Sequence, residues 1–239
     1  MLIKKFEVDK VKYGLKNTNT KIYACLVQVD ASDSIASVIK EIADNSWISK
    51  LGIVDQVAYD ARMQATIQHI MNDCMIFNNS KPTGQYDYSV VGEYIVSKEG
   101  RQTLISQFGH RFVPLAELWK EKEIGNPGFD YHSESTTQII IFGEAKYNAT
   151  NNPYTTAINQ VEKFITKKKD SKELSDLQKF VSKNAVTNFL QSNKGFSIAF
   201  SIKSDNPLAI LDNAILSNKI VQITKYDEFY IIGVVINDK

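Results

Sequence analysis

The sequence predicts an α/β protein with one central mixed sheet flanked by helices and an N-terminal α/β extension. Three observations predict it. Strand-length stretches that alternate apolar and polar residues, or run apolar throughout, recur along the chain. Between them lie stretches with apolar residues at helical spacing. The two kinds alternate instead of segregating, which is the pattern of strands and helices layered around a shared core.

Taken in order, "KKFEVDKVKY" and "KIYACLVQVD" alternate as strands do. "DASDSIASVIKEIADNSW" opens with Ser and Asp cap candidates and carries Ile35, Val38, Ile39 and Ile42 at helical spacing. "VDQVAYDARMQATIQHIM" is helical too. "NNSKPTGQYDYS" puts Pro and Gly among small polar residues, the strongest loop signal in the chain. It divides an N-terminal α/β region, residues 1–80, from a core at 81–239.

The core opens with "SVVGEYIVSKEGRQTLISQF", helical in period despite Gly92 and Gly100, and "PLAELWKEKE" is a short helix. Strands follow at 128–132 and 138–146. "TTAINQVEKFITKKK" is helical, with Ile158, Val161, Phe164 and Ile165 on one face, and "KELSDLQKFVSKNAVTNFLQSN" continues helical. "GFSIAFSIK" is a strand and "NPLAILDNAILSN" a helix. "KIVQIT" and "EFYIIGVVI" read as strands.

The net charge is +1, so no global field draws in a polyanion and any nucleic-acid site must be local. Two cysteines, Cys25 and Cys74, have neither metal-ligand spacing nor a disulfide framework and read as reduced and buried. The charged start carries no signal peptide, and no stretch nears the roughly 18 apolar residues of a membrane span. The expected compartment is the cytoplasm. No zinc motif, phosphate-binding Gly-rich loop or G-x-S-x-G elbow is present.

The chemistry gathers in "GFDYHSESTTQIIIFGEAKYN". Glu144 and Lys146 lie two apart at the end of an apolar strand and so point the same way. Gly143 and Ala145 face the other way and are small enough for a helix to pack closely. If the preceding strand turns back through "HSESTT", Asp130 lies beside Glu144. Two carboxylates and an ammonium then converge at one end of the sheet. Hard carboxylate oxygens suit Mg²⁺, which keeps several waters and also takes phosphate oxygens. A metal-bound water is a better nucleophile, and a nearby lysine can orient it or offset developing negative charge.

"GFD", 13 residues and then "EAK" resembles the PD-(D/E)XK nuclease superfamily over residues 89–164. The resemblance implies a restriction-endonuclease-like core and a DNA endonuclease using Mg²⁺, with Mn²⁺ able to replace it. It puts the first acid at Asp130, the second at Glu144 and the lysine at Lys146. Pro127 stands three residues before the acid instead of next to it. The family's further acid, from the helix before the first strand, falls on Glu93 first and Glu117 second. Its glutamine on the helix after the lysine falls on Gln160, but Phe164 stands where the Gln-x-x-x-Tyr signature wants tyrosine. More narrowly, "GFDYH" with "FGEAKY" and the trailing helix is similar to the nuclease subunit of the Hachiman antiphage system. That similarity implies a helicase or translocase partner, with the N-terminal elements as its surface. A homodimeric stand-alone type II restriction endonuclease and a non-catalytic DNA-binding or scaffold subunit are the alternatives.

Two further expectations concern DNA contact. His132, two past Asp130, shares its face if the strand persists, within reach of phosphate or a metal-bound water. Lys163, Lys167, Lys168 and Lys169 form the most basic stretch. They suit a helix C-terminus and, following the site in sequence, contact with the phosphate backbone.

Overall fold

The computed structural model describes residues 1–79, 91–120 and 128–237, with residues 65 and 69–79 described by their backbone alone. Its strands are β1 (Leu2–Glu7), β2 (Lys21–Asp30), β3 (Arg111–Phe112), β4 (Tyr131–Glu134), β5 (Ile140–Lys146), β6 (Gly195–Ile202) and β7 (Glu228–Asn237). Its helices are α1 (Ala31–Ile42), α2 (Ile53–Asn79), α3 (Gly92–Phe108), α4 (Ala116–Trp119), α5 (Tyr154–Thr166), α6 (Lys169–Leu177), α7 (Lys183–Leu190) and α8 (Pro207–Leu216).

All seven strands join one mixed sheet in the order β1, β2, β7, β6, β5, β4, β3. The middle pairings, β2–β7, β7–β6 and β6–β5, are parallel, and those toward both edges are antiparallel. The division expected near residue 80 is therefore no division of the sheet, because β1 and β2 extend it alongside β7. The loop that suggested the division lies largely outside the described residues.

Helices cover both faces of the parallel centre, and strand alternation tells which is where. Phe196 and Phe200 of β6 face α5: Tyr154 packs on Phe200, and Phe164 joins Phe196 through Phe129. Ala199, of opposite parity, faces α3, where a Cβ on Gly100 would stand 2.7 Å from its methyl and 2.9 Å from the Tyr131 ring. Gly143 lies under that ring, its own missing Cβ 2.2 Å away. Glycine at 100 and 143 thus lets α3 settle onto β4, β5 and β6, the close approach expected on the Gly143 face.

Local chemistry sets the element ends. Asp30 caps α1 by accepting from the Ser32 and Asp33 amides, and Asn206 caps α8 ahead of Pro207. Gly109 closes α3 in the left-handed conformation, at φ 70°. Two expected elements are corrected. The helical run after residue 171 breaks into α6 and α7, because Ser182 caps α7 by accepting from the Ala185 amide. "KIVQIT" is part of a 3-10 helix, not a strand. Ile220 and Ile223 are buried while Val221 is half exposed, a spacing of three that suits a 3-10 turn. The two-residue β3 escaped the sequence reading. No described helix is long and apolar enough to cross a membrane.

Candidate active site

The C-terminal end of β5 brings the sequence-predicted trio together. Asp130 stands one residue before β4. Its backbone amide donates to the Gly143 carbonyl at 2.9 Å, and its Oδ2 accepts from the Ala145 amide at 2.7 Å. Those two bonds straddle Glu144 and fix Asp130 beside it. Glu144 is fully buried, and neither of its carboxylate oxygens has a hydrogen-bond partner. Lys146 Nζ pairs with it, 2.9 Å from Oε1.

Both candidates for the further acid reach this group. Glu93, in the first turn of α3, takes Lys146 Nζ at 3.2 Å and is otherwise largely exposed. The turn can lie there because Gly92 has no Cβ, which would sit 2.3 Å from the Tyr147 ring. Glu117 comes in on α4, which is tied to Asp130 by a bond from the Ala116 amide to the Asp130 carbonyl, 3.2 Å. Its Oε2 is buried without a partner.

Four carboxylates thus gather here, with Lys146 acting on Asp130, Glu144 and Glu93 and Lys120 and Arg101 on Glu117, and three of the acids hold their protons more tightly than usual. Burial pushes Asp130 up to about 6, with Glu93 adding to the effect while Lys146 and the Ala145 amide oppose it. Burial and the charge of Asp130 push Glu117 up to about 7. Glu144 is held well above the usual carboxylate range by burial first, then by Asp130, against the pull of Lys146. Burial would lower Lys146, but Glu144, Asp130 and Glu93 together outweigh it and hold the ammonium charged.

Buried carboxylates crowded together, whose ionised forms burial and mutual repulsion disfavour, fit a hard divalent cation that would favour those forms. Asp130 and Glu144 are the residues that would hold it, leaving waters to complete the shell. Among the described residues no three His, Cys, Asp or Glu side chains already stand in ligating geometry around one point.

His132 is fully buried, not poised at the surface: its ring packs against Trp119 and Phe142 and its Nε2 bonds Glu173 at 2.8 Å. Burial lowers it to about 4, so it is neutral and out of reach of a phosphate. Gln160 is half-buried on α5, at the margin of the face carrying Ala157, Ile158, Val161 and Phe164. Lys163, Lys167 and Lys168 are exposed, but Lys169 is buried at the start of α6. Next to it, Asp170 pairs with Lys194, just ahead of β6.

Cys25 is buried, and the side chains of Cys74 and His69, like Pro127, lie outside what is described. His110 bonds Ser133 and Tyr230 and is structural. Sequence reasoning passed over Lys120 and Glu173, which pair at 2.7 Å behind Asp130. Both sit in charged helical stretches that look solvated. Compared with known proteins, the chain matches no family model, no curated protein and no solved structure.

Proposed function

We propose that the chain is a magnesium-dependent DNA endonuclease of the PD-(D/E)XK kind, acting in antiphage defence beside a helicase-type partner. The observation that carries the reading is the fully buried carboxylate of Glu144, held beside Asp130 and paired with Lys146 at 2.9 Å. Asp130 and Glu144 would hold Mg²⁺, which when bound supplies a more acidic water and charge neutralisation at a phosphate. Lys146 keeps its proton, so it can steady the attacking water or the developing negative charge but cannot act as a base. Glu93 holds Lys146 from the open side. The sequence resemblance and the helices packed on either face of β5 support the same reading.

The partner belongs to the proposal for two reasons. The net charge of +1 gives the chain no overall field with which to grip DNA by itself. At the start of α2, Ile53, Val54 and Val57 are more than two-thirds exposed, an apolar surface suited to a protein neighbour.

The test is plasmid cleavage by the purified chain, alone and with candidate helicase subunits, with Mg²⁺ or with chelator. Expected are Mg²⁺-dependent nicking or cutting and its loss in Glu144→Gln and Lys146→Ala. Magnesium binding should weaken only in the first, because ammonium is no ligand. Cleavage by Glu144→Gln at the wild-type rate rejects the assignment. Tight, sequence-selective binding by the isolated chain at physiological salt rejects the partner and points to a self-sufficient restriction enzyme.

A further inference from the structure

Phe129 lies between Gly128 and Asp130, ahead of β4, and both its backbone polar groups are held from outside the sheet. Its amide donates to Glu173 Oε1 at 3.0 Å, and its carbonyl accepts from Lys120 Nζ. Glu173 and Lys120 are themselves joined at 2.7 Å. The other oxygen of Glu173 takes His132 Nε2 at 2.8 Å. Since that nitrogen carries the proton, His132 Nδ1 is the bare one, and it is the ring atom with no partner. One carboxylate from α6 thus gathers three donors, two of them on either side of Asp130 in sequence.

We propose that Glu173 and Lys120 are positioning residues that clamp Phe129 and so set where the Asp130 carboxylate stands. The inference rests on the reading of Asp130 as a metal ligand. Asp130 has one peptide unit between it and the clamp and the Ala145 amide on its other side. With the clamp gone, Asp130 would keep its own bonds to Gly143, Ala116 and Ala145, but the chain leading into it at Gly128 and Phe129 would be free to shift and would hold the carboxylate less precisely beside Glu144.

Two features argue for a built device over an incidental surface pair. Glu173 and Lys120 are largely buried, with side chains 10% and 20% exposed. The pair also closes over Gly128: a Cβ there would fall 2.0 Å from Glu173 Oε1 and 2.8 Å from Lys120 Nζ, so a larger residue would displace the ends of both side chains. Burial alone would raise Glu173, yet Lys120 and His132 hold it below its usual value, so it stays an anion that accepts from all three donors.

The experiment uses the full chain with Glu173→Ala, Glu173→Gln and Lys120→Met. Two readouts are independent of turnover: hydrogen exchange at the Phe129 amide and calorimetric Mg²⁺ binding. In Glu173→Ala the amide should exchange faster and the Mg²⁺ dissociation constant should rise about 10–100-fold, as for other partners that orient a ligand. Glu173→Gln should recover most of both, because its amide oxygen can accept from Phe129 and Lys120. Lys120→Met, which frees the Phe129 carbonyl, should raise the Mg²⁺ dissociation constant in the same direction. A merely structural pair would lower the unfolding midpoint while leaving the Mg²⁺ affinity of the folded protein unchanged, and that result overturns the proposal. If the wild-type chain binds no Mg²⁺, the metal reading fails separately. The clamp is then judged by exchange, and equal rates at Phe129 in wild type and Glu173→Ala reject it.

Discussion

Glu144 is a residue the folded chain keeps at a cost. A fully buried carboxylate beside a second acid is expensive to hold even with one ammonium paired to it. Replacing it with glutamine removes the charge and keeps the shape. Lys146 is not stranded by the change, since Glu93 still takes it at 3.2 Å. In the absence of divalent cations at pH 8, Glu144→Gln should therefore raise the unfolding free energy, by about 1 kcal/mol, while abolishing cleavage. Urea titration of the two proteins checks this, and a lower midpoint for the variant contradicts it. At this scale the sequence was legible where covalent spacing governs. Asp130, Glu144 and Lys146 are set by strand alternation and one turn, so they could be read directly. His132 has the expected parity but not the expected depth, because alternation gives a side and not the thickness of what covers it. Lys120 and Glu173 were invisible, since they are 53 positions apart and meet only through tertiary folding.

At the level of elements, α3 shows packing overruling propensity. Gly100 sits inside the helix, where alanine is ordinarily better by about 1 kcal/mol. Here the added methyl would meet Ala199 at 2.7 Å and the Tyr131 ring at 2.9 Å. Gly100→Ala should thus destabilise, by about 1–3 kcal/mol, and move β5 enough to disturb the site. Thermal unfolding with a parallel Mg²⁺ titration tests both halves, and a stabilised protein would mean that α3 is less tightly seated. Most elements were legible because periodicity and caps agree, as at β2 followed by the Asp30 cap of α1. "KIVQIT" failed because β-branched composition suggested a strand while the burial of Ile220 and Ile223 has period three.

For the whole molecule, the raised carboxyls link stability to pH. An acid whose folded pKa lies above its unfolded value holds more protons when folded, so stability falls as pH rises between the two values. For Asp130 that window runs from 3.8 to about 6, and for Glu117 from 4.5 to about 7. The cation-free chain should lose stability from about pH 4 to pH 7 on account of these groups. Magnesium, which binds the ionised forms, should restore it, raising the unfolding temperature more at pH 8 than at pH 5. Scanning calorimetry at both pH values with and without Mg²⁺ decides this, and an equal or reversed effect would separate these acids from any metal. The mixed α/β class was legible from alternation, but the merging of both halves into one sheet was not. No local signal announces that Lys21 pairs with Glu228.

That pairing reaches into the birth of the protein. Of the seven strands, β7 is made last, and it lies between β6 and β2. While a ribosome is still extending the chain, β1 and β2 can form only a hairpin with a bare outer edge, and β6 has an open flank. Closing so long a loop is slow, and the waiting edges are the kind that capture neighbouring chains. The Asp130–Glu144 corner belongs to strands that emerge earlier, but the sheet that braces it is completed only when β7 slots into the gap between the two halves.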